Sequence, residues 1–290
     1  MRRFGQPNFR CPYQLDVTGG SIRRQFGQSL ISDVPIALFL GGFDPSGGAG
    51  ILRDAVTVSG LGVHPMAIPM AETVQNGVEC IDIAPPGLNP LARLYSLKPH
   101  LRGSWGVKLS MFYNCSLLRD LGPQIHQLGP SAAIWDPVIA PTNGAKLHNP
   151  ASIKEALGLL SDGLWLASPN IPEARLLADI PDGPLETVAK KLVDLGMKCV
   201  WIRGGHGSGK TVQDLWCDND GSKWLTPYKR LDGDPRGSGC TATSAWLAFR
   251  LNGMEPIRAA EAAVQYIRSA WNRLHTPGRA GRLTFPPRVQ

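Results

Sequence analysis

Short apolar runs alternate with amphipathic stretches along most of this 290-residue chain. The apolar runs predict buried strands at 34–40, 64–70, 105–109, 132–135, 164–167 and 199–202. The stretches between and after them predict helices, the first behind a glycine-rich loop, at 47–61, 90–100, 116–128, 150–160, 185–195, 240–252 and 256–274. Strands that alternate with helices indicate crossover connections, so we expect an α/β fold with a mostly parallel central sheet and helices on both faces.

The stretch from Val212 to Leu225 departs from this alternation. Its residues Asp218-Asn219-Asp220-Gly221 join two short strand-like runs and predict a hairpin. No internal repeat or long linker interrupts the pattern, so we expect one α/β domain over 34–275. It is flanked by a basic N-terminal extension over 1–33, predicted to be disordered, and by a C-terminal tail over 276–290.

The formal net charge of +7 belongs to the two ends of the chain. Residues 1–33 hold five arginines and two acids, and residues 268–290 hold five arginines and no acid, so the body between them is close to neutral. A basic face on the folded domain is therefore not expected, and we predict no nucleic-acid partner. No apolar run approaches the roughly 20 residues of a membrane span, so we predict no membrane association either.

The six cysteines, at 11, 80, 115, 199, 217 and 240, include no Cys-x-x-Cys pair. Their spacing excludes the usual zinc sites, and a disulfide framework is not expected in a chain of this length. The first 33 residues contain no apolar segment typical of a secretory signal. Together these features predict a location in the reducing cytoplasm.

The loops that leave the predicted strands hold the unusual residues, and ligands of parallel sheets bind at the carboxyl ends of strands. After the first strand, five of the ten residues from Gly41 to Gly50 are glycine, which suits close approach of the backbone to a ligand. Polar loops follow three further strands, at 73–77, 136–138 and 168–173. Each loop alone is typical of a turn or a helix cap, but their shared position indicates one binding site.

The segment Arg236-Gly237-Ser238-Gly239-Cys240 precedes a small and apolar run that predicts a buried helix starting near Cys240. Glycines on both sides of Ser238 allow a tight turn, and unpaired N–H groups at a helix start bind anions. The same field is expected to lower the pKa of the Cys240 thiol. An anion hole beside an activatable base suits phosphoryl transfer to an alcohol, and a glycine turn that only caps a core helix is the alternative.

The segment from Gly204 to Thr211 fits the Walker A pattern letter for letter and follows a strand. A true P-loop opens a helix and lies near the start of its sheet. Here the residues from Val212 to Cys217 show alternation and no helical stripe. We therefore predict that this segment is not a P-loop, although a nucleotide-contacting loop of another kind remains open.

The glycine-rich loop Gly42–Gly50, together with Asp54, resembles the opening signature of the hydroxymethylpyrimidine/phosphomethylpyrimidine kinases of thiamin biosynthesis, a family of the ribokinase-like superfamily. Further matches keep chain order within about 34–275 and occur at 75–76, 108–111, 136–138, 169–174, 204–206 and 237–241. The resemblance implies a ribokinase-like three-layer sandwich. It also implies ATP-dependent phosphorylation of 4-amino-5-hydroxymethyl-2-methylpyrimidine, of its monophosphate, or of both.

The resemblance further implies an acceptor site for the aminopyrimidine ring. By family position, Gly42, Asp54 and Gln75 would hold the ring edge, and Met111 and Val138 would pack nearby. An Asp and a Gln together offer the donors and acceptors that an exocyclic amine and ring nitrogens require.

For the phosphates, Asn170 and Glu173 match the Asn-x-x-Glu motif of the superfamily, which places Mg2+ and the nucleotide phosphates. A hard cation with carboxylate and water ligands fits that role. The other residues expected beside the nucleotide or its phosphates are Asp136, Gly205 and Arg236.

The turn before the last helix pair would complete the catalytic site. Gly237, Ser238 and Gly239 would supply the anion hole, and Cys240 stands where sugar kinases of the superfamily carry an aspartate base. The chain departs from the family pattern at Arg236, where the family usually has histidine, and at Ser238, which replaces threonine. It also has Pro141-Thr142-Asn143-Gly144 in place of Ala-Lys-Ser-Gly.

Two other functions stay open at this point. Related enzymes on the same scaffold phosphorylate pyridoxal or pyridoxine, and a catalytically idle relative could bind a pyrimidine as a sensor. Asn170, Glu173 and Cys240 are retained together, which argues against a sensor because a sensor needs neither a metal nor a base. The expected partners are ATP and a small pyrimidine, and the oligomeric state is open, with a homodimer as one expectation.

Overall fold

The computed structural model describes residues 34–139, 150–207, 209–277 and 283–286. Its strands are Ile36–Phe43 (β1), His64–Gln75 (β2), Cys80–Ala84 (β3), Trp105–Leu109 (β4), Ala132–Trp135 (β5), Leu166–Ala167 (β6), Cys199–Ile202 (β7), Thr211–Val212 (β8), Leu215–Asp218 (β9), Gly221–Trp224 (β10) and Tyr228–Lys229 (β11). The predicted N-terminal extension over 1–33 and the Pro141–Gly144 departure lie outside the described residues.

A sheet of nine of these strands has the order β10-β9-β7-β6-β5-β4-β1-β2-β3. The strands from β7 to β2 in that order are parallel, and β3 and β9 run antiparallel to them. The edge strand β10 pairs antiparallel with β9. β8 and β11 pair with each other outside this sheet. The six predicted strands and the predicted hairpin, which is β9 and β10, are confirmed.

The described helices are Gly50–Ser59 (α1), Pro90–Leu97 (α2), Cys115–Leu128 (α3), Pro150–Leu160 (α4), Ile171–Ala178 (α5), Leu185–Asp194 (α6), Ser238–Leu251 (α7) and Pro256–Trp271 (α8). Helix α5 was not predicted, and α7 begins two residues before the predicted start near Cys240. Within the described residues, no helix is both long and apolar enough to cross a membrane.

The sheet lies between two helical layers. Helices α1, α7 and α8 pack with Phe39, Ile134 and Trp201 on one face, and helices α2 to α6 pack with Leu40 and Trp135 on the other. Successive side chains of a strand point to opposite faces, so a strand covered on both sides is apolar at every position. The central strands read as continuous apolar runs for this reason, and the expected three-layer architecture is confirmed.

The C-terminal segment 283–286 packs against the domain, which differs from the predicted boundary at 275. The N–H of Arg236 donates to the carbonyl oxygen of Leu283 at 2.8 Å. Phe285 is 1% exposed. The buried Arg53 guanidinium donates to Thr284 Oγ1 at 3.3 Å. The segment therefore supports both α1, through Arg53, and the chain just before α7.

Candidate active site

A cavity of about 590 Å³ lies at the carboxyl ends of the parallel strands. Asp54 is the one predicted site residue that does not line it. Those that do are Gly42, Gln75, Met111, Asp136, Val138, Asn170, Glu173, Gly205, Arg236, Gly237, Ser238, Gly239 and Cys240. Residues that are far apart in the sequence, on loops that follow different strands, therefore line the same cavity.

The turn at the start of α7 requires glycine at 237. Gly237 is the N-cap and adopts φ 76°, in the left-handed region, and a Cβ there would collide with the carbonyl oxygen of Gly48. The first-turn N–H groups, from Ser238 to Cys240, have no acceptor within the helix. They lie on the cavity wall, so the turn is suited to binding an anion.

The expectation that this turn lowers the pKa of Cys240 is wrong. Burial raises the pKa of the Cys240 thiol to about 11, which Lys108 opposes and the carboxylates of Asp54 and Asp136 reinforce. The dipole at the helix start favours the thiolate, but desolvation of the sulfur is the larger effect. Cys240 therefore faces the cavity as a neutral thiol at neutral pH.

Beneath the cavity, Lys108 is fully buried and connects several elements. Its Nζ lies 2.7 Å from Asp54 Oδ1 and 3.8 Å from Asp136 Oδ2. It also donates to the carbonyl oxygen of Cys240 at 3.2 Å and to Ser244 Oγ at 3.2 Å. Burial alone would lower the pKa of Lys108, but the attraction of Asp54 and the other nearby anionic groups raises it overall. The ammonium thus anchors the first turn of α7.

Asp54 takes part in this buried ion pair and does not reach the cavity. Its carboxylate is 1% exposed, bound to Lys108 and accepting from Ser244 Oγ at 2.8 Å. The structure therefore places Asp54 behind the cavity wall, and its contact with the ring edge stays a prediction. Lys108 belongs to a segment that matches the family, but its pairing with Asp54 was not predicted from the sequence.

Arg203, which the sequence analysis missed, lies between two of the predicted phosphate-site acids. Its Nη2 is 2.7 Å from Asp136 Oδ1 and 3.9 Å from Glu173 Oε2. Its Nη1 lies against Gly239, where a Cβ would collide with it. Arg203 directly follows β7, so the rule that ligands bind at the carboxyl ends of strands could have found it.

Asn170 and Glu173 form a capping box at the start of α5. The Asn170 side chain accepts from the Glu173 N–H at 2.9 Å, and Glu173 Oε2 accepts from the Asn170 N–H at 2.8 Å. Burial raises the pKa of Glu173 to about 7, opposed by Arg203 and by the hydrogen bond from Asn170. The motif therefore has both the structural role that such a cap indicates and a carboxylate on the cavity wall.

The donor set fits Mg2+ better than a metal that needs a cage of protein ligands. No group of three or more His, Cys, Asp or Glu side chains in the described residues could hold a metal ion by itself. Asp136 and Glu173 nevertheless line one side of the cavity. Mg2+ is usually held by one or two carboxylates together with substrate phosphates and water, which is the arrangement these two acids permit.

At the acceptor end, Gln75 is held by its neighbours. Its Oε1 accepts from Arg236 Nη2 at 2.6 Å, and its Nε2 donates to Thr73 Oγ1 at 2.7 Å. Arg236 Nη2 also donates to Asp44 Oδ2 at 3.1 Å. Asp44 in turn accepts from the N–H groups of the glycine-rich loop at Ser46 and Ala49, so Arg236 connects that loop, β2 and the turn at the start of α7.

The Walker-like segment has a different local structure from a P-loop, as predicted. Gly204–His206 is a single 3₁₀ turn, and strand β8 follows it at Thr211. The Arg230 guanidinium donates to the carbonyl oxygens of Gly205, Gly207 and Gly209. A P-loop presents N–H groups to a phosphate, whereas these carbonyl oxygens are directed at an arginine.

A further part of the cavity wall is apolar, and none of its residues was predicted from the sequence. Val212, Val264 and Ile267 form part of it. Beside them, the Arg268 guanidinium lies 4.9 Å from the centroid of the Tyr228 ring. These residues come from β8, β11 and α8. The strands β8 and β11 have only two residues each, and no motif marks them in the sequence. An apolar slot with a cation–π pair is suited to a flat aromatic group.

Comparisons with known proteins identify the family and the fold of this chain. The family model described as phosphomethylpyrimidine kinase matches residues 44–283. A hydroxymethylpyrimidine/phosphomethylpyrimidine kinase of Synechococcus elongatus is 35% identical over 82% of this chain and 91% of its own length, and one of Aquifex aeolicus is 30% identical over 81% and 93%. A Staphylococcus aureus pyridoxal kinase solved with AMP-PCP and pyridoxal superimposes with a TM-score of 0.77 at 20% identity, covering 88% of this chain and 94% of the other.

Proposed function

This chain belongs to the phosphomethylpyrimidine kinase family, and on that premise we propose that it is a kinase of thiamin biosynthesis that uses ATP. The acceptor is 4-amino-5-hydroxymethyl-2-methylpyrimidine, its monophosphate, or both. The observation that carries the proposal is the position of Cys240 at the anion-binding start of α7, in the same cavity as the acceptor-side residues Gly42, Gln75 and Met111.

The reaction is an in-line attack of an acceptor oxygen on the γ-phosphorus, which breaks the bond to the β,γ-bridging oxygen and releases ADP. The N–H groups at the start of α7 would hold the phosphoryl oxygens as their charge is redistributed. Arg203, beside Gly239, adds a guanidinium to the same place. When the acceptor is an alcohol, the Cys240 thiol must first lose its own proton to solvent, and the alcohol proton then passes to the Cys240 sulfur.

For the nucleotide, Asn170, Asp136 and Glu173 would hold Mg2+ together with its phosphates. The bound ion would neutralise phosphate charge, which is what a hard cation supplies in phosphoryl transfer. Arg203 already lies between the carboxylates of Asp136 and Glu173, so its positive charge reduces the repulsion between them. The base of ATP is proposed to bind at the apolar end, between Val212 and Ile267.

A panel of acceptors tests the function. Purified full-length protein with ATP and Mg2+ is offered the hydroxymethylpyrimidine, its monophosphate and pyridoxal, and the phosphorylated product is identified by mass spectrometry. We expect turnover with at least one pyrimidine at a higher kcat/KM than with pyridoxal. A preference for pyridoxal would favour the vitamin-kinase alternative, and binding without any turnover would favour a sensor.

A further inference from the structure

Arg236 lies between Gln75, at the acceptor side of the cavity, and the turn Gly237–Cys240 at the start of α7. It precedes Gly237, the N-cap of α7, and its side chain reaches Gln75 on β2 and Asp44 on the glycine-rich loop. Its side chain is 12% exposed and lines the cavity. An acceptor whose ring lies beside Gln75 and whose reacting oxygen faces the turn must therefore pass the guanidinium.

The Arg236 guanidinium has N–H groups that its two described hydrogen bonds do not use. In the part of the chain that the structure describes, both hydrogen bonds of the Arg236 side chain are donated by Nη2, which leaves Nε and Nη1 available. The main chain of Arg236 is fixed as well, because its N–H donates to Leu283 at 2.8 Å. An arginine whose main chain is fixed and whose Nε and Nη1 can still donate is suited to giving a phosphate charge-assisted hydrogen bonds.

We infer that Arg236 is a specificity-determining residue that makes the phosphate monoester of the hydroxymethylpyrimidine the preferred acceptor over the free alcohol. The inference rests on the proposed function and names which of its two acceptors the site favours. A monoester brings close to two negative charges at neutral pH, and these gain charge-assisted hydrogen bonds from Arg236. The free alcohol is neutral and gains much less from the same group.

The chemistry of the two acceptors points the same way. A phosphate monoester has a second pKa of about 6, so its attacking oxygen is already anionic at pH 7 and has no proton to lose. An alcohol must lose its proton, and the candidate base Cys240 is a desolvated thiol. In the favoured reaction the monoester oxygen bonds to the γ-phosphorus, the bond from that phosphorus to the bridging oxygen breaks, and the products are the pyrimidine diphosphate and ADP.

Kinetics on both acceptors test this role. We expect the wild type to show a kcat/KM at least about tenfold higher for the monoester than for the alcohol. Arg236→Gln should lower kcat/KM for the monoester by about 10- to 100-fold, the range expected for losing hydrogen bonds to a charged group. It should lower kcat/KM for the alcohol by a smaller factor, because Gln75 loses the same partner with either acceptor. Arg236→Lys, which keeps the charge, should retain part of the preference. Arg268→Gln, at the nucleotide end, is the matched control and should affect both acceptors alike.

A binding measurement separates this inference from the proposed function. Calorimetry on the nucleotide-free wild type should show tighter binding of the monoester than of the alcohol, and Arg236→Gln should remove the difference. If the monoester binds in this way but no acceptor turns over, the proposed function fails and the role of Arg236 stands. Equal losses on both acceptors in a variant that melts like the wild type would mean that Arg236 is only a structural link. A wild type that prefers the alcohol overturns the inference whatever the variants do.

Discussion

At the scale of single residues, the site contains acidic groups whose burial makes their charged forms unfavourable. Cys240 and Glu173 both have raised pKa values for the same reason, which is desolvation, and both line the cavity. Such groups are neutral more readily than the same groups in water. Their ionisation therefore depends on what binds beside them, and each leads to a measurable expectation.

Cys240→Ala should have an effect that depends on the acceptor. With the alcohol, loss of the general base should lower the single-turnover rate by about 10²–10⁴-fold at saturating substrate. With the monoester the loss should stay below about tenfold, because that acceptor arrives deprotonated. Cys115→Ala is the matched control, since Cys115 also begins a helix and has a pKa raised to about 11, but lies outside the cavity. A rate on the alcohol within about threefold of wild type would refute the base assignment.

Glu173 should make the nucleotide-free protein less stable as the pH rises. Its pKa lies at about 7 in the folded state and at about 4.5 in the unfolded chain, so the folded state holds a proton that the unfolded state releases between these values. Its favourable contribution is complete below about pH 4.5 and is lost as the pH rises through 7. Glu173→Gln cannot ionise, and the free energy of unfolding of this variant relative to wild type should rise by about 1–3 kcal/mol between pH 5 and pH 8.

Urea denaturation at the two pH values measures this change. Glu155→Gln, which removes an exposed carboxylate of α4, is the control and should show a smaller pH-dependent difference. A difference between Glu173→Gln and wild type that is the same at both pH values would mean that Glu173 ionises normally. In that case its burial would not set the charge of the proposed Mg2+ site.

At the scale of elements, the C-terminal segment 283–286 is part of the domain. The ring of Phe285 lies edge-on to Trp271 at the end of α8, with centroids 5.8 Å apart. The neighbouring Thr284 pairs with His275 through two main-chain hydrogen bonds. This segment supports Arg236, just before the turn at the start of α7, so disturbing it should affect both stability and the acceptor site.

Phe285→Ala should lower the free energy of unfolding by about 3–5 kcal/mol, because the ring is almost completely buried. Where the variant remains folded, kcat/KM for the acceptor should fall more than the affinity for ATP, since Arg236 rather than the nucleotide end loses its support. Leu283→Ala is the control in the same segment, because its side chain is 38% exposed and its main-chain bond to Arg236 is retained. Equal stability of the two variants would contradict this account.

At the scale of the whole molecule, the regular strands and helices can be predicted from the sequence. Side-chain contacts between residues far apart in the sequence cannot. The central strands and most helices follow from apolar periodicity, because burial on both faces of the sheet leaves a continuous signal. Strand β3 has mostly exposed side chains at the sheet edge and gives no such signal. Helix α5 begins within the stretch 168–173 that was predicted as a polar loop, so it was not predicted as a helix. Cavity positions were found through loop order and family motifs. The pairing of Asp54 with Lys108 and the place of Arg203 depend on contacts between residues far apart in sequence.

The same reasoning predicts that the chain before the first strand is dispensable. The described core begins at β1 with Ile36, the family model begins at residue 44, and the body of the chain is close to neutral without its basic ends. Deletion of residues 1–30 should therefore change the melting temperature by less than about 2 °C, the shift expected for well under 1 kcal/mol in a domain of this size. The kcat/KM values for both acceptors should stay within about twofold of the full-length protein. The kinetic measurements are made at low salt and at 0.3 M salt, which tests whether the arginines of the deleted segment steer anionic substrates. Such steering would appear as a loss of rate in the truncated protein at low salt only. A truncated protein that is insoluble, or inactive at both salt concentrations, would show that these residues are needed by the domain itself.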